Sequence, residues 1–212
     1  MWILSNLYNN FINIIFPKKC FLCKKEKEII CKKCLSGLSL SLDTPYYFIF
    51  SYFSYRDKNL KRIMHHAKYF HRKDLFLPLV SFTTEVFKNE IIDNPNDYIL
   101  IPIPMPTFRK ILRGYNQTEI IAHIYSRQLN IHHKTNILFR KKDTVRQIKS
   151  KTRSGRLQNQ KGSFEIKNTE EIKNKKIILI DDITTTGSTL NEARNVFLKN
   201  GIKDVIAITL AH

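Results

Sequence analysis

Short unbroken apolar runs alternate along this chain with longer stretches whose apolar residues recur every three or four positions. Tyr46 to Phe53, "DYILIPIPMP" (97–106), Lys176–Ile180 and Val205–Leu210 are runs of the first kind. Their length and their β-branched and aromatic content predict strands buried on both faces. Residues 57–73 are of the second kind, with Leu60, Ile63, Met64 and Ala67 on one helical face. Helices are also predicted over 75–87, over 116–129 and over Ser188–Lys199, the last stopped by Gly201. "DNPND" reads as a turn, "RKILRGYNQ" as a basic loop and "GSFEI" as a short strand. Strands alternating with helices imply an α/β fold around a parallel, covered sheet.

Two segments stand outside this alternation. Residues 140–161 carry nine Lys or Arg and one acid, Asp143, with no apolar period, which reads as a mobile basic loop. Residues 1–16, "MWILSNLYNNFINIIF", are apolar with interspersed Asn and no basic residue before Lys18, so a secretory signal is not expected. The run is shorter than the roughly 20 apolar residues of a spanning helix. It reads as an amphipathic helix on the protein body, or as peripheral contact with a membrane. The expected location is the cytoplasm, with the inner face of the cytoplasmic membrane as the alternative.

Charge changes the picture more than composition does. At 212 residues, 42% hydrophobic, the chain suits one ordinary domain with a small appendage. Thirty-six Lys and Arg against eighteen acids give +18. Such an excess favours a polyanionic partner: nucleic acid, an anionic membrane or a phosphorylated substrate. The competing explanation is a gene biased toward Lys, Asn and Ile codons, although the basic residues are clustered.

All four cysteines fall within "CFLCKKEKEIICKKC", as Cys20, Cys23, Cys31 and Cys34. Two C-x-x-C turns can complete a tetrahedron of thiolates around zinc, with no position left for a substrate, hence a structural site. Disulfides or redox thiols are the alternatives, which a reducing compartment disfavours. His65, His66 and His71 read as part of a solvated basic face rather than as metal ligands.

"IILIDDITTTGSTL" (177–190) concentrates the chemistry. A strand ends in two acids, a loop of small hydroxyl residues follows, then a helix. The amides of Thr185, Thr186, Gly187, Ser188 and Thr189 would lie at that helix's N-terminus, where unpaired N–H groups and the dipole favour an anion. Asp181 and Asp182 suit sugar hydroxyls, or a divalent ion. Phosphate beside diol points to a ribose 5-phosphate.

The stretch 177–189 resembles the phosphoribosyl diphosphate (PRPP) motif of type I phosphoribosyltransferases. The cysteine module, the Lys68 region, "IPIPMPTFRKILRGYNQ", "DTVRQIKSKTRSGRLQNQKGSFEI" and this motif occur in the order found in the ComF family, over about residues 11–212. That family serves DNA uptake in naturally competent bacteria. The resemblance implies a type I phosphoribosyltransferase-like (Rossmann-like) parallel sheet over 45–212 and a zinc-binding module within 1–44. It also implies that Asp181 and Asp182 hold the ribose hydroxyls and that the loop from Thr184 to Thr189 holds the 5-phosphate. The loop after "IPIP" would approach the pyrophosphate, with Mg²⁺ bridging. The 140–161 segment corresponds to the loop that closes over PRPP, though with "VRQ" where a proline pair before Gln is common; Gln147 is retained.

Two functions are carried forward. One is a competence protein that binds single-stranded DNA through its basic surface, with candidate contacts at Lys68, Arg146, Lys149, Lys151, Arg153 and Arg156. Its expected partners include other competence proteins, such as a DNA-translocating helicase or a recombination mediator. The other is an active transferase moving phosphoribose onto a base, with the acceptor and catalytic residues unassigned.

Overall fold

The computed structural model describes residues 19–25, 28–41, 43–90, 92–141 and 162–212. The elements run α1 (Lys32–Ser36), β1 (Ile49–Phe53), α2 (Lys58–Tyr69), α3 (Phe76–Glu90), β2 (Tyr98–Pro102), α4 (Thr107–Arg113) and α5 (Gln117–Leu129). The second half adds β3 (Leu138–Arg140), β4 (Phe164–Ile166), β5 (Lys176–Ile183), α6 (Ser188–Lys199) and β6 (Val205–Ala211). Residues 1–16, read as an amphipathic helix or a peripheral membrane contact, lie outside the described residues, as do 17–18 and 142–161.

β1, β6, β5 and β2 form one sheet in that order, every pair parallel. β5 is therefore an inner strand with a layer on each face, which is why Ile177–Ile180 need no polar alternation and are fully buried. Side chains still point alternately to the two faces. Ile178 and Ile180 enter a core shared with α2, α3 and α5. Ile177 and Leu179 enter a second core with Leu190, Ala193 and Phe197 of α6. Cys20, Phe21, Ile30, Leu35 and Leu38 belong to the first core, so the described part of the cysteine segment is built against the sheet's helical layer.

α2 begins at Asp57, whose Oδ1 accepts from the amides of Asn59 (2.7 Å) and Leu60 (3.0 Å). Its Oδ2 accepts from the amide of Ser39 (2.9 Å), so one carboxylate both caps the helix and ties down the segment leaving the cysteines. Leu60, Ile63, Met64 and Ala67 are the buried face, as the spacing requires.

Three sequence expectations change. Residues 109–113, within the stretch read as a basic loop, belong to helix α4. Pro106 opens it, and Gly114, at φ 74°, ends it with its amide on Lys110 O. The periodic signal is missing because Phe108, Ile111 and Leu112 are 54%, 78% and 76% exposed and face no core. Residues 138–140, assigned no element, pair antiparallel with β4. β5 continues three residues past Ile180, through both acids, because β6 supplies backbone partners as far as Ala211. Among the described residues no helix is long and apolar enough to cross a membrane.

Candidate functional site

Asp181 and Asp182 are the last acids on β5, and the strand's alternation sends them different ways. Asp182 continues the face of Ile178 and Ile180, toward α2 and α5, and is only 5% exposed. Lys68 of α2 reaches it, Nζ to Oδ2 2.5 Å, and Gln117 Nε2 of α5 donates to the same oxygen at 3.2 Å. Its Oδ1 accepts from the amide of Ile183 (2.9 Å). Asp181 Oδ1 accepts from the amide of Asp182 (2.9 Å). Burial drives both carboxyls up. At Asp182 the Lys68 ammonium overcomes burial and holds the group below the usual carboxylate range. Asp181, facing the charge of Asp182, is pushed well above it. The two carboxyls are thus pushed in opposite directions, Asp182 down and Asp181 up, beside a site where their oxygens can accept from sugar hydroxyls.

Beyond the acids the chain turns into α6. Thr184 is buried, its amide bound to Ala211 O at 2.9 Å, and anchors the turn from beneath. Thr186 Oγ1 donates to Ser188 Oγ (2.9 Å), and Gly187 sits at φ 68°. Only glycine serves there: a Cβ would lie 2.6 Å from the Tyr46 ring and 2.9 Å from Pro45. No side chain caps α6. Within its first turn the amide of Ser188 has Thr186 Oγ1 at 3.4 Å, and first-turn N–H groups without partners favour an anion.

Asp181, Asp182, Thr185 and Thr189 line a cleft of about 360 Å³ at the carboxyl ends of β2 and β5. That is the usual position for a ligand in an open parallel sheet. Thr186, Gly187 and Ser188 form the turn at its edge. The opposite wall is Pro104–Pro106, and Arg109, Arg113, Gln117 and Arg140 also face the cleft. None of these four was singled out from sequence. "RGYNQT" (113–118) is what assembles this side. Tyr115 OH donates to Ala67 O, holding the end of α2. Thr118 Oγ1 donates to Ile103 O (2.7 Å) and Asn116 Nδ2 to the same carbonyl (3.2 Å), holding the loop after β2. Arg113 is 9% exposed and donates to Gln117 Oε1 (3.0 Å) and Tyr69 OH (3.1 Å). Among the described residues no carboxylate pairs with it. Lys68, expected on the DNA-contacting surface, is turned into the cleft. The other five DNA candidates, Arg146, Lys149, Lys151, Arg153 and Arg156, lie outside the described residues, as does Gln147.

The sulfurs of Cys20, Cys23, Cys31 and Cys34 lie within 4.8 Å of one another, and none is in a disulfide. The Cys23–Cys31 separation is 3.7 Å. Tetrahedral zinc with Zn–S bonds of about 2.3 Å sets its sulfurs roughly 3.8 Å apart, so this donor set fits such an ion. Burial pushes the Cys20 thiol up, but hydrogen bonds from the amides of Cys23, Cys31 and Leu22 outweigh it and bring the group to about 6. Burial and the neighbouring sulfurs push Cys34 to about 12. A cation shared by the four would take over the role of that proton. Among the described residues this is the one group of three or more His, Cys, Asp or Glu placed to hold a metal.

A parallel sheet whose inner strand ends in paired acids, followed by an uncapped turn into a helix, defines a phosphoribosyltransferase-like domain. The family model described as "Phosphoribosyl transferase domain" matches residues 119–212, from α5 through the acid pair to the last strand. Competence protein F of Haemophilus influenzae is 36% identical over 107 residues, 50% of this chain and 46% of that protein. Competence protein ComFC of Streptococcus pneumoniae is 33% identical over 124 residues, 58% of this chain and 52% of its own length. DNA utilization protein YhgH of Escherichia coli O157:H7 is 28% identical over 106 residues, 50% and 45% of the two chains. The chain spans about half the length of the curated relatives it matches. With the cysteine cluster alongside the transferase-like domain, the chain is similar over about half its length to competence proteins F and ComFC.

Proposed function

We propose that this protein handles incoming single-stranded DNA during natural transformation and binds PRPP with Mg²⁺ in the cleft at the end of β5. The observation that carries the ligand assignment is the placement of Asp181 and Asp182 in one cleft with Thr185 and Thr189, beside the Gly187 turn into α6. The amides and hydroxyls of Thr185–Thr189 take the 5-phosphate, and the acids take the ribose hydroxyls. The loop Pro104–Pro106 lies where the diphosphate would sit, with the guanidinium of Arg113 beside it. Mg²⁺ would supply charge neutralisation at the diphosphate. The names of the relatives, competence proteins and a DNA utilization protein, support the DNA role, and the charge of +18 suits it. Zinc on Cys20, Cys23, Cys31 and Cys34 holds the N-terminal module together.

A transformation assay tests the whole reading. A deletion strain is complemented with wild type or with the Asp181→Asn/Asp182→Asn variant at equal protein level. Wild type restores transformants and the variant does not. Full restoration by the variant would remove the site from the function.

A further inference from the structure

The fold carries a second cleft apart from the proposed PRPP site. It lies at the other end of the sheet, where the strands begin, and measures about 500 Å³. The strand registers fix what sits there: Tyr98 opposite Lys176, Ile177 opposite Val205, and Ile49 opposite Ala207. Crossing this rim from β1 to β2, one meets Tyr47 and Phe48, then Lys203 in the turn before β6, then Lys176, then Tyr98. Arg194 of α6 projects into the first half of that path. Strands are about 4.8 Å apart, so the rim is roughly 14 Å long, the reach of a few nucleotides of a single strand.

Aromatic rings and cations interleave along it. The Arg194 guanidinium lies 5.5 Å from the Tyr47 ring centroid and 4.7 Å from that of Phe48, and it donates to Tyr47 OH at 3.0 Å. Arg194 Nε also donates to Val205 O (3.1 Å), so the shelf is fixed from two directions. Lys176 lies 5.1 Å from the Tyr98 ring and pairs with Asp93 at 3.0 Å. Asp204 is the one acid lining the cleft. Tyr47 is 82% exposed, the most of any large apolar or aromatic side chain among the described residues, although its neighbours Tyr46 and Phe48 are drawn inward. An exposed ring held rigidly by an arginine, with lysines further along the groove, suits a stacked base followed by phosphates.

We infer that this rim groove is a binding track for single-stranded nucleic acid, with Tyr47 as its stacking platform and Arg194, Lys203 and Lys176 following the backbone. The inference rests on the DNA-handling reading above, and adds a surface at the opposite end of the sheet from the PRPP cleft.

The test is fluorescence anisotropy of a labelled oligothymidylate with the full chain, wild type, Tyr47→Ala and Tyr47→Phe. Tyr47→Ala should weaken binding about fivefold or more, the worth of one lost base stack, while Tyr47→Phe keeps the ring and binds within about twofold of wild type. PRPP affinity, measured on the same preparations, should be equal in all three and reports that the variants are folded. Equal oligonucleotide affinity of wild type and Tyr47→Ala overturns the groove assignment and leaves the DNA reading standing. No binding by wild type overturns the DNA reading and the groove with it.

Discussion

Substituting Lys68 by Met tests what holds the buried Asp182 carboxyl below its usual range. The ion pair joins side chains that are 16% and 8% exposed, so water screens it poorly. Removing the ammonium leaves the Asp182 carboxylate with Gln117 and one backbone amide, in a site where burial already disfavours charge. Breaking one side of a buried pair costs about 3–5 kcal/mol. With a urea slope of about 2.5–3 kcal/mol/M for a chain of this size, the unfolding midpoint should fall by roughly 1–2 M at neutral pH. The pH dependence identifies the cause. Wild-type Asp182 has a depressed folded value, so its stabilisation is present above the unfolded carboxylate range and is lost as pH falls through that depressed value. In Lys68→Met the same carboxyl, buried without a cation, shifts upward instead, and the variant gains relative to wild type as pH falls. The deficit should shrink in acid, and adding Asp182→Asn to Lys68→Met should recover most of it. A loss under about 1 kcal/mol, or one that is constant with pH, would refute the pairing as the source of the asymmetry.

Arg113→Gln should cut PRPP affinity by about 10- to 100-fold in calorimetry, the worth of one or two charge-assisted bonds, while ribose 5-phosphate affinity stays within a few-fold. Gly187→Ala should destabilise by more than the roughly 1–2 kcal/mol of a left-handed non-glycine residue, because Tyr46 and Pro45 must also move; thermal unfolding reads it. Asp57→Ala should cost about 1–2 kcal/mol at neutral pH through the lost cap. Burial raises the Asp57 carboxyl, but hydrogen bonds from Ser39, Leu60 and Asn59 hold it below its usual range. That contribution is present above the unfolded value and disappears as pH falls past it, so variant and wild type should converge in acid. Purified protein should carry about one zinc per chain by elemental analysis, and Cys20→Ser should lose both the metal and the packing of Phe21 and Leu35.

The parts of this molecule written in local pattern were legible before any coordinates. The buried run Ile177–Ile180, the acids that follow it and the glycine turn are contiguous, so one short stretch announces a strand, a phosphate loop and a helix. The C-x-x-C pairs are equally local, and their sulfurs do converge. What escaped is long-range or unpatterned. Lys68 looks like one more base on a basic helix face, and only the crossing of α2 over the end of β5 brings it to Asp182, more than a hundred residues away. Arg113 sat in a segment whose exposed Phe108, Ile111 and Leu112 concealed helix α4, so its convergence with Gln117 on the cleft could not be read from period. A charge with no acid near it in sequence, inside "RGYNQ", was the available signal. The rim groove was invisible for the same reason: Tyr47, Arg194, Lys203 and Lys176 meet only because four parallel strands start at one level.

Isothermal titration of PRPP with Mg²⁺ into wild type and into Asp181→Asn/Asp182→Asn is the most direct measurement of the site. Wild type should bind with one site per chain. The double variant, confirmed folded by its zinc content and thermal unfolding, should bind at least about a hundredfold more weakly, as two or more charge-assisted bonds to sugar hydroxyls are lost. Equal affinity in the two proteins, or no heat with wild type, would contradict the assignment of PRPP to the end of β5.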